Sequence, residues 1–148
     1  MNIHDLLRSC RRVFLDTAPL IFYAERHPVY FQLVEPVFVA IDSGQVQAVT
    51  SVVTLAECLV HPYMKGLTEL QQVYYDLITA GNNTLFTLQD AEMGRIAAQI
   101  RARYRVALLD ALQIATALQT DCDALLTNDR DLKRVQEIHI VVVEEITI

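Results

Sequence analysis

Apolar positions along this chain follow two rhythms, and the places where one gives way to the other divide it into elements. Val13-Phe14-Leu15 is a continuous apolar run that ends in an acid, as suits a strand covered on both faces of a parallel sheet. The spacing then predicts a helix with Thr17 as N-cap and Pro19 in its first turn, continuing through Leu20, Ile21, Phe22 and Ala24 to a break at His27-Pro28. A second helix is predicted from about Tyr30 to Ile41, with Phe31, Val34, Phe38 and Ile41 at helical spacing; Pro36 either kinks it or moves its start. Beyond the turn at Asp42-Ser43-Gly44, Val46 to Thr50 reads as a valine-rich strand. A helix follows through Val53, Leu55, Ala56, Leu59 and Val60, beginning at Ser51 or at Thr54.

The second half repeats these rhythms. Leu67 to Ala80 is predicted helical and is stopped by Gly81-Asn82-Asn83; Thr84 to Leu88 is a short strand. Asp90 caps a helix to about Tyr104, with Met93, Ile96, Ala97 and Ile100 facing inward. Leu108 to Leu118 is a further helix, rich in alanines that allow close packing. Ala124-Leu125-Leu126 is the next strand, then the turn Thr127-Asn128-Asp129 and a short helix through Leu132 and Val135. Ile138 to Val143 is the last strand. Met1 to Arg12 reads as a polar, basic lead-in and Glu144-Glu145 as a solvated tail. Without repeats or a linker, residues 1–148 are expected to form a single domain.

Four acids fall at these transitions. Asp16 and Asp129 follow strands, Asp110 opens a helix, and Glu57 lies near the start of another. Each has a local alternative. Asp16 can cap its helix, Thr54 with Glu57 and Asp110 with Gln113 have capping-box spacing, and Asn128-Asp129 suits an Asx turn. Four independent caps would be a coincidence. If the strands are parallel, all four gather at one edge of the sheet, where ligands of open α/β folds bind and where unpaired carboxylates repel one another. Such a cluster is tolerable around Mg²⁺ or Mn²⁺, and it suits an attack of water on phosphorus.

Composition narrows the classes. The chain is 53% hydrophobic, yet charges interrupt every apolar run well before the ~18 residues of a membrane span. The N-terminal stretch lacks the apolar core of a secretory signal, so a cytoplasmic location is expected. Cys10, Cys58 and Cys122 read as reduced thiols, and the four histidines are too scattered for a zinc site. A net charge of −6 argues against passive binding to nucleic acid through a basic surface, but not against a nuclease whose acids hold cations. Arg95, Arg101, Arg103 and Arg105 either offset a helix dipole or form a rim that follows a phosphate backbone.

The series Phe14-Leu15-Asp16-Thr17, Thr54-Leu55-Ala56-Glu57, Leu109-Asp110-Ala111-Leu112-Gln113-Ile114-Ala115-Thr116-Ala117 and Leu126-Thr127-Asn128-Asp129-Arg130-Asp131-Leu132 resembles a PIN domain of the bacterial VapC toxin type over nearly the whole chain. The resemblance implies a three-layer α/β/α sandwich around a mostly parallel sheet. It also implies a Mg²⁺- or Mn²⁺-dependent endoribonuclease acting on RNA, a homodimer, and an antitoxin protein that blocks the acidic site. By matched positions, Asp16, Glu57, Asp110 and Asp129 form the catalytic quartet, with Asp16, Asp110 and Asp129 on the metal. Thr17, Ser51, Thr127 and Asp131 are supporting groups, while Arg101, Arg103, Arg105 and Arg130 steer RNA. The chain departs from the commonest pattern in having no second acid soon after Asp110, which puts a second metal in question. A PIN-fold protein that binds RNA or a partner with little cleavage, or an RNA-processing nuclease without an antitoxin, is the alternative. A haloacid-dehalogenase-type phosphatase would need a second Asp two positions after Asp16, and a receiver domain a lysine in the last strand; neither is present.

Overall fold

A computed structural model describes residues 1–148. Its centre is a five-stranded sheet built from β1 (Arg12–Leu15), β2 (Gln47–Ser51), β3 (Thr84–Thr87), β4 (Ala124–Thr127) and β5 (His139–Val142), in the order β3-β2-β1-β4-β5. Every pairing is parallel. The chain winds outward from β1 through β2 to β3 and then returns to place β4 on the other side of β1. The winding direction therefore reverses between β1 and β4, and a crevice opens beyond their carboxyl ends.

The strands are apolar on both faces because helices cover both. Val13 and Leu15, Ala48, Ala124 with Leu126, and Val141 point into one core. There they meet α1 (Ile3–Ser9), α2 (Thr17–Ala24), α3 (Phe31–Asp42) and α5 (Thr68–Ala80), together with Cys58 of α4 (Val52–Lys65). Phe14, Val49, Leu125, Ile140 and Val142 point the other way, into a second core with α6 (Ala91–Tyr104) and α7 (Leu108–Gln119). This period-two alternation between two covered faces yields the α/β/α sandwich.

Local signals set the helix starts. Ser51 caps α4 by accepting from the Thr54 N–H at 3.2 Å, so the helix begins at Val52 and Thr54–Glu57 is not a capping box. Asp90 caps α6, accepting from the Met93 N–H at 2.9 Å. The cap of α2 is Asp16 rather than Thr17, because the carboxylate reaches the first helical N–H. Pro36 lies inside α3, and Pro62 inside α4.

The two ends of the chain differ from the sequence expectation. Ile3 and Leu6, at i and i+3, are both buried and Leu7 packs beside them, so the lead-in folds as α1 against the first core. The tail is docked as well. Val143 and Ile146 are buried, Thr147 forms a bridge with Asn2, and Glu145 pairs with Lys133 at 2.7 Å.

Candidate active site

Asp16, Glu57, Asp110 and Asp129 line one open cavity of about 480 Å³ at the carboxyl ends of the strands, together with Thr17 and Thr127. Each acid arrives from a different element. Asp16 leaves β1 and Asp129 leaves β4, the two strands that flank the reversal, while α4 and α7 bring Glu57 and Asp110.

Hydroxyls and backbone amides hold the carboxylates of Asp16, Glu57 and Asp129 in place. Asp16 Oδ1 accepts from the Thr17 N–H at 2.8 Å, and Asp16 Oδ2 from Thr127 Oγ1 at 2.7 Å. Asp16 is thus both a helix cap and a member of the acidic group. Thr127 Oγ1 in turn accepts from the Asp129 N–H at 3.1 Å, which ties the β4 turn to Asp16. Asp129 Oδ1 accepts from the Asp131 N–H at 2.9 Å, and Thr17 Oγ1 donates to Glu57 at 3.3 Å. Within this site Asp131 thus contributes its backbone amide. Ser51 is fully buried and lies among Thr54 and Gln113 instead of lining the cavity.

No cation offsets the four charges: none of the acids takes part in an ion pair. Burial pushes the Asp110 carboxyl up to about 6, reinforced by the charges of Asp16, Asp129 and Glu57. Burial raises Asp16 too, against the opposing hydrogen bonds from Thr127 and Thr17. Glu57 is raised by burial and then by Asp16, with the Thr17 hydroxyl opposing. The ionised cluster is therefore frustrated at neutral pH without a counter-charge.

The donor set consists of hard oxygens, and the cavity lining contains neither Cys nor His. That chemistry fits Mg²⁺ or Mn²⁺. No three of the acids converge closely enough to enclose an ion by themselves. A cation here would complete its shell with water, as Mg²⁺ ordinarily does.

The four arginines singled out in the sequence line none of this cavity. Arg101 donates to the Val106 carbonyl at 2.9 Å and braces the turn between α6 and α7. Arg103 pairs with Glu137 at 3.3 Å, and Arg130 turns from its neighbour Asp129 towards Glu144 at 3.5 Å. Arg105 is exposed, forms no ion pair, and caps α6 in a left-handed conformation at φ 59°. Two further polar residues, Thr54 and Gln113, adjoin the site from within. Their sequence signal was capping-box spacing to Glu57 and Asp110, but neither forms a box. α7 has no side-chain N-cap.

A family model described as PIN domain matches residues 13–138. Similar solved structures include VapBC2 from Rickettsia felis bound to a DNA fragment from their promoter, at 15% identity and TM-score 0.69, covering 88% of this chain and 98% of that one. A toxin-antitoxin complex from Klebsiella pneumoniae gives 18% identity and TM-score 0.68, with 88% and 97% covered. Mycobacterium tuberculosis VapC20, a sarcin-ricin loop cleaving toxin, gives 12% identity and TM-score 0.68, with 86% and 98% covered. No curated protein matches the sequence significantly.

Proposed function

Since this chain belongs to the PIN domain family, we propose that it is a divalent-metal-dependent endoribonuclease and the toxin of a toxin–antitoxin pair. The observation that carries this reading is the convergence of four acids from four elements on one cavity with no cation among them. Three of them have raised proton affinity, a cost that a structural cluster would shed through an Arg or Lys partner.

Asp16, Asp110 and Asp129 would hold Mg²⁺ or Mn²⁺, which when bound neutralises the carboxylates and supplies a Lewis acid beside the scissile phosphodiester. Glu57, exposed and tethered by Thr17, orients the attacking water and takes up its proton; its raised proton affinity suits it to that task. Thr127 fixes Asp16 and the Asp129 amide together, and Asp131 steadies Asp129 through its own N–H. Arg105, the unpaired cation after α6, meets the RNA backbone, with Arg101, Arg103 and Arg130 as weaker contributors. The toxin reading draws support from the toxin–antitoxin complex and the sarcin-ricin loop cleaving toxin among the similar structures. Exposed Val60, Tyr63, Met64, Leu67 and Val73 on and between α4 and α5 offer apolar surface for an antitoxin or a second copy in a homodimer.

Purified protein incubated with mixed single-stranded and structured RNA in Mg²⁺, Mn²⁺ or EDTA, with Asp16→Asn alongside, tests the activity. Metal-dependent cutting lost in the variant is the expected outcome. Folded wild-type protein that cuts nothing under any metal would overturn catalysis in favour of binding.

A further inference from the structure

Gln113 is 2% exposed, one helical turn after Asp110 on α7. Its amide is engaged at both ends. Oε1 accepts from Ser51 Oγ at 2.5 Å, and Nε2 donates to Thr54 Oγ1 at 2.6 Å. Thr54 Oγ1 donates onward to the Leu15 carbonyl at 3.3 Å, and both Ser51 and Thr54 are fully buried. The three anchor points are placed systematically. Leu15 immediately precedes Asp16, Thr54 is one turn before Glu57, and Gln113 is one turn after Asp110. Gln113, through Thr54, thus links the end of β1 to the first turn of α4 and the second turn of α7.

Packing does not explain this choice. Gln113 is flanked by Ala111, Ile114 and Ala115, all buried, where a Leu or Met of similar volume would fill the space without an amide to satisfy. α7 has no N-cap side chain to fix its start, and the acids it must hold near one another carry like charge. A fully satisfied buried network is the kind of feature that sets a unique geometry against such repulsion.

We propose that Gln113 is the positioning residue of the site, holding Asp16 and Asp110 at the separation that binds one divalent cation and Glu57 in place beside it. This rests on the nuclease reading above. Gln113→Leu removes the amide at nearly constant volume. Gln113→His keeps one donor and one acceptor. Thr54→Val combined with Gln113→Leu removes donor and acceptor together, which leaves fewer unsatisfied groups and so recovers much of the lost stability.

The experiment measures Mn²⁺ affinity by EPR or calorimetry, Tm without metal, and kcat and KM for RNA. For Gln113→Leu, Mn²⁺ binding weakens by about 10-fold or more and kcat falls by a similar factor while KM for RNA changes little, the size typical of losing a group that orients metal ligands. Gln113→His regains most of the binding. The double variant regains Tm but neither Mn²⁺ affinity nor kcat. If Gln113→Leu binds Mn²⁺ within twofold of wild type, or the double variant regains binding together with Tm, Gln113 is only a core residue and the proposal is overturned. Wild-type protein that binds no Mn²⁺, or that binds it no more tightly than Asp16→Asn does, would overturn the nuclease reading and this one with it.

Discussion

The two ends of the central sheet treat charge in opposite ways. At the amino ends of the strands, Asp123 accepts from the Arg11 and Arg12 backbone N–H groups at 2.7 and 3.0 Å. The Arg12 guanidinium donates to Gln47 Oε1 at 2.7 Å and to the Thr120 carbonyl. The charges of Asp123 and Arg12 there each meet a partner supplied by the fold. At the carboxyl ends, Asp16, Glu57 and Asp129 receive hydroxyls or backbone amides, Asp110 accepts neither, and no cation joins any of the four. Partners of the first kind stabilise the chain alone; those of the second kind orient carboxylates and leave their charge for something external.

Substituting one acid at each end separates these roles most sharply. Asp16→Asn, which keeps the shape and can still accept from Thr17, is expected to lower RNA cleavage by more than about 100-fold and to abolish Mn²⁺ binding. Its Tm without metal should be no lower than that of wild type. A variant that still cleaves at the wild-type rate would remove Asp16 from the site. Asp123→Ala at the opposite end should do the reverse. It strips two N–H groups of their acceptor and is expected to cost about 1–3 kcal/mol in chemical denaturation, with Mn²⁺ affinity unchanged. A loss of metal binding there would mean that the two ends are coupled through β1 and β4.

A subtler contrast lies in the pH dependence of the metal-free protein. Asp110 binds its proton more tightly in the fold, at about 6 against an ordinary 3.8. Its contribution to stability is thus fully present below pH 3.8 and is lost as the pH rises through about 6. Asp16 and Glu57, also raised, act in the same sense. Replacement by Asn removes one ionising member, so Asp110→Asn should be more stable than wild type at pH 7.5, by of order 1 kcal/mol once solvent screening of this half-buried group is allowed for. The advantage should vanish near pH 4. Equal stabilities of the two proteins at both pH values, followed by urea titration, would show that ionised Asp110 carries no penalty in the fold. Mn²⁺ affinity of the wild type should rise over the same interval, because protons and the cation compete for the carboxylates.

The amount of this that was legible in the sequence depended on the range of the interaction. Strand-to-acid junctions at Asp16 and Asp129 are local. A continuous apolar run must be a strand covered twice, and the residue after it must sit at the sheet edge, so the parallel architecture and the gathering of the acids followed from short windows. The destination of a buried polar side chain is not local. Gln113 stands three residues after Asp110 and suggests a capping box, yet its partners Ser51 and Thr54 lie about 60 residues earlier. Only the packing of α7 across β2 selects them over the backbone. Glu57 was ambiguous in the same way and was decided by Thr17. The chain ends were misjudged for a different reason. Three apolar residues within seven, Ile3, Leu6 and Leu7, are too few to define an amphipathic helix by pattern, and the docking of Thr147 against Met1 and Asn2 is visible only in three dimensions.

The arginines provide the smallest and most discriminating test of the contrast between satisfied and unsatisfied charge. Arg130 is next to Asp129 in sequence, but its guanidinium is committed to Glu144 and Glu145, and Arg103 is committed to Glu137. Arg105 has no acidic partner and stands in the turn that leads into α7 and Asp110. If unpaired charge is what this end of the sheet presents to RNA, Arg105→Ala should raise KM a few-fold at low salt and reduce the slope of log KM against log salt by about one, the signature of one lost phosphate contact. Arg130→Ala should change that slope by much less than one and instead produce a small loss of stability through the release of the C-terminal segment, within the roughly 0–1 kcal/mol of an exposed ion pair. Reversal of the two outcomes would show that nearness to the acids matters more than freedom from a partner, and that the Arg130 ion pairs open when RNA binds.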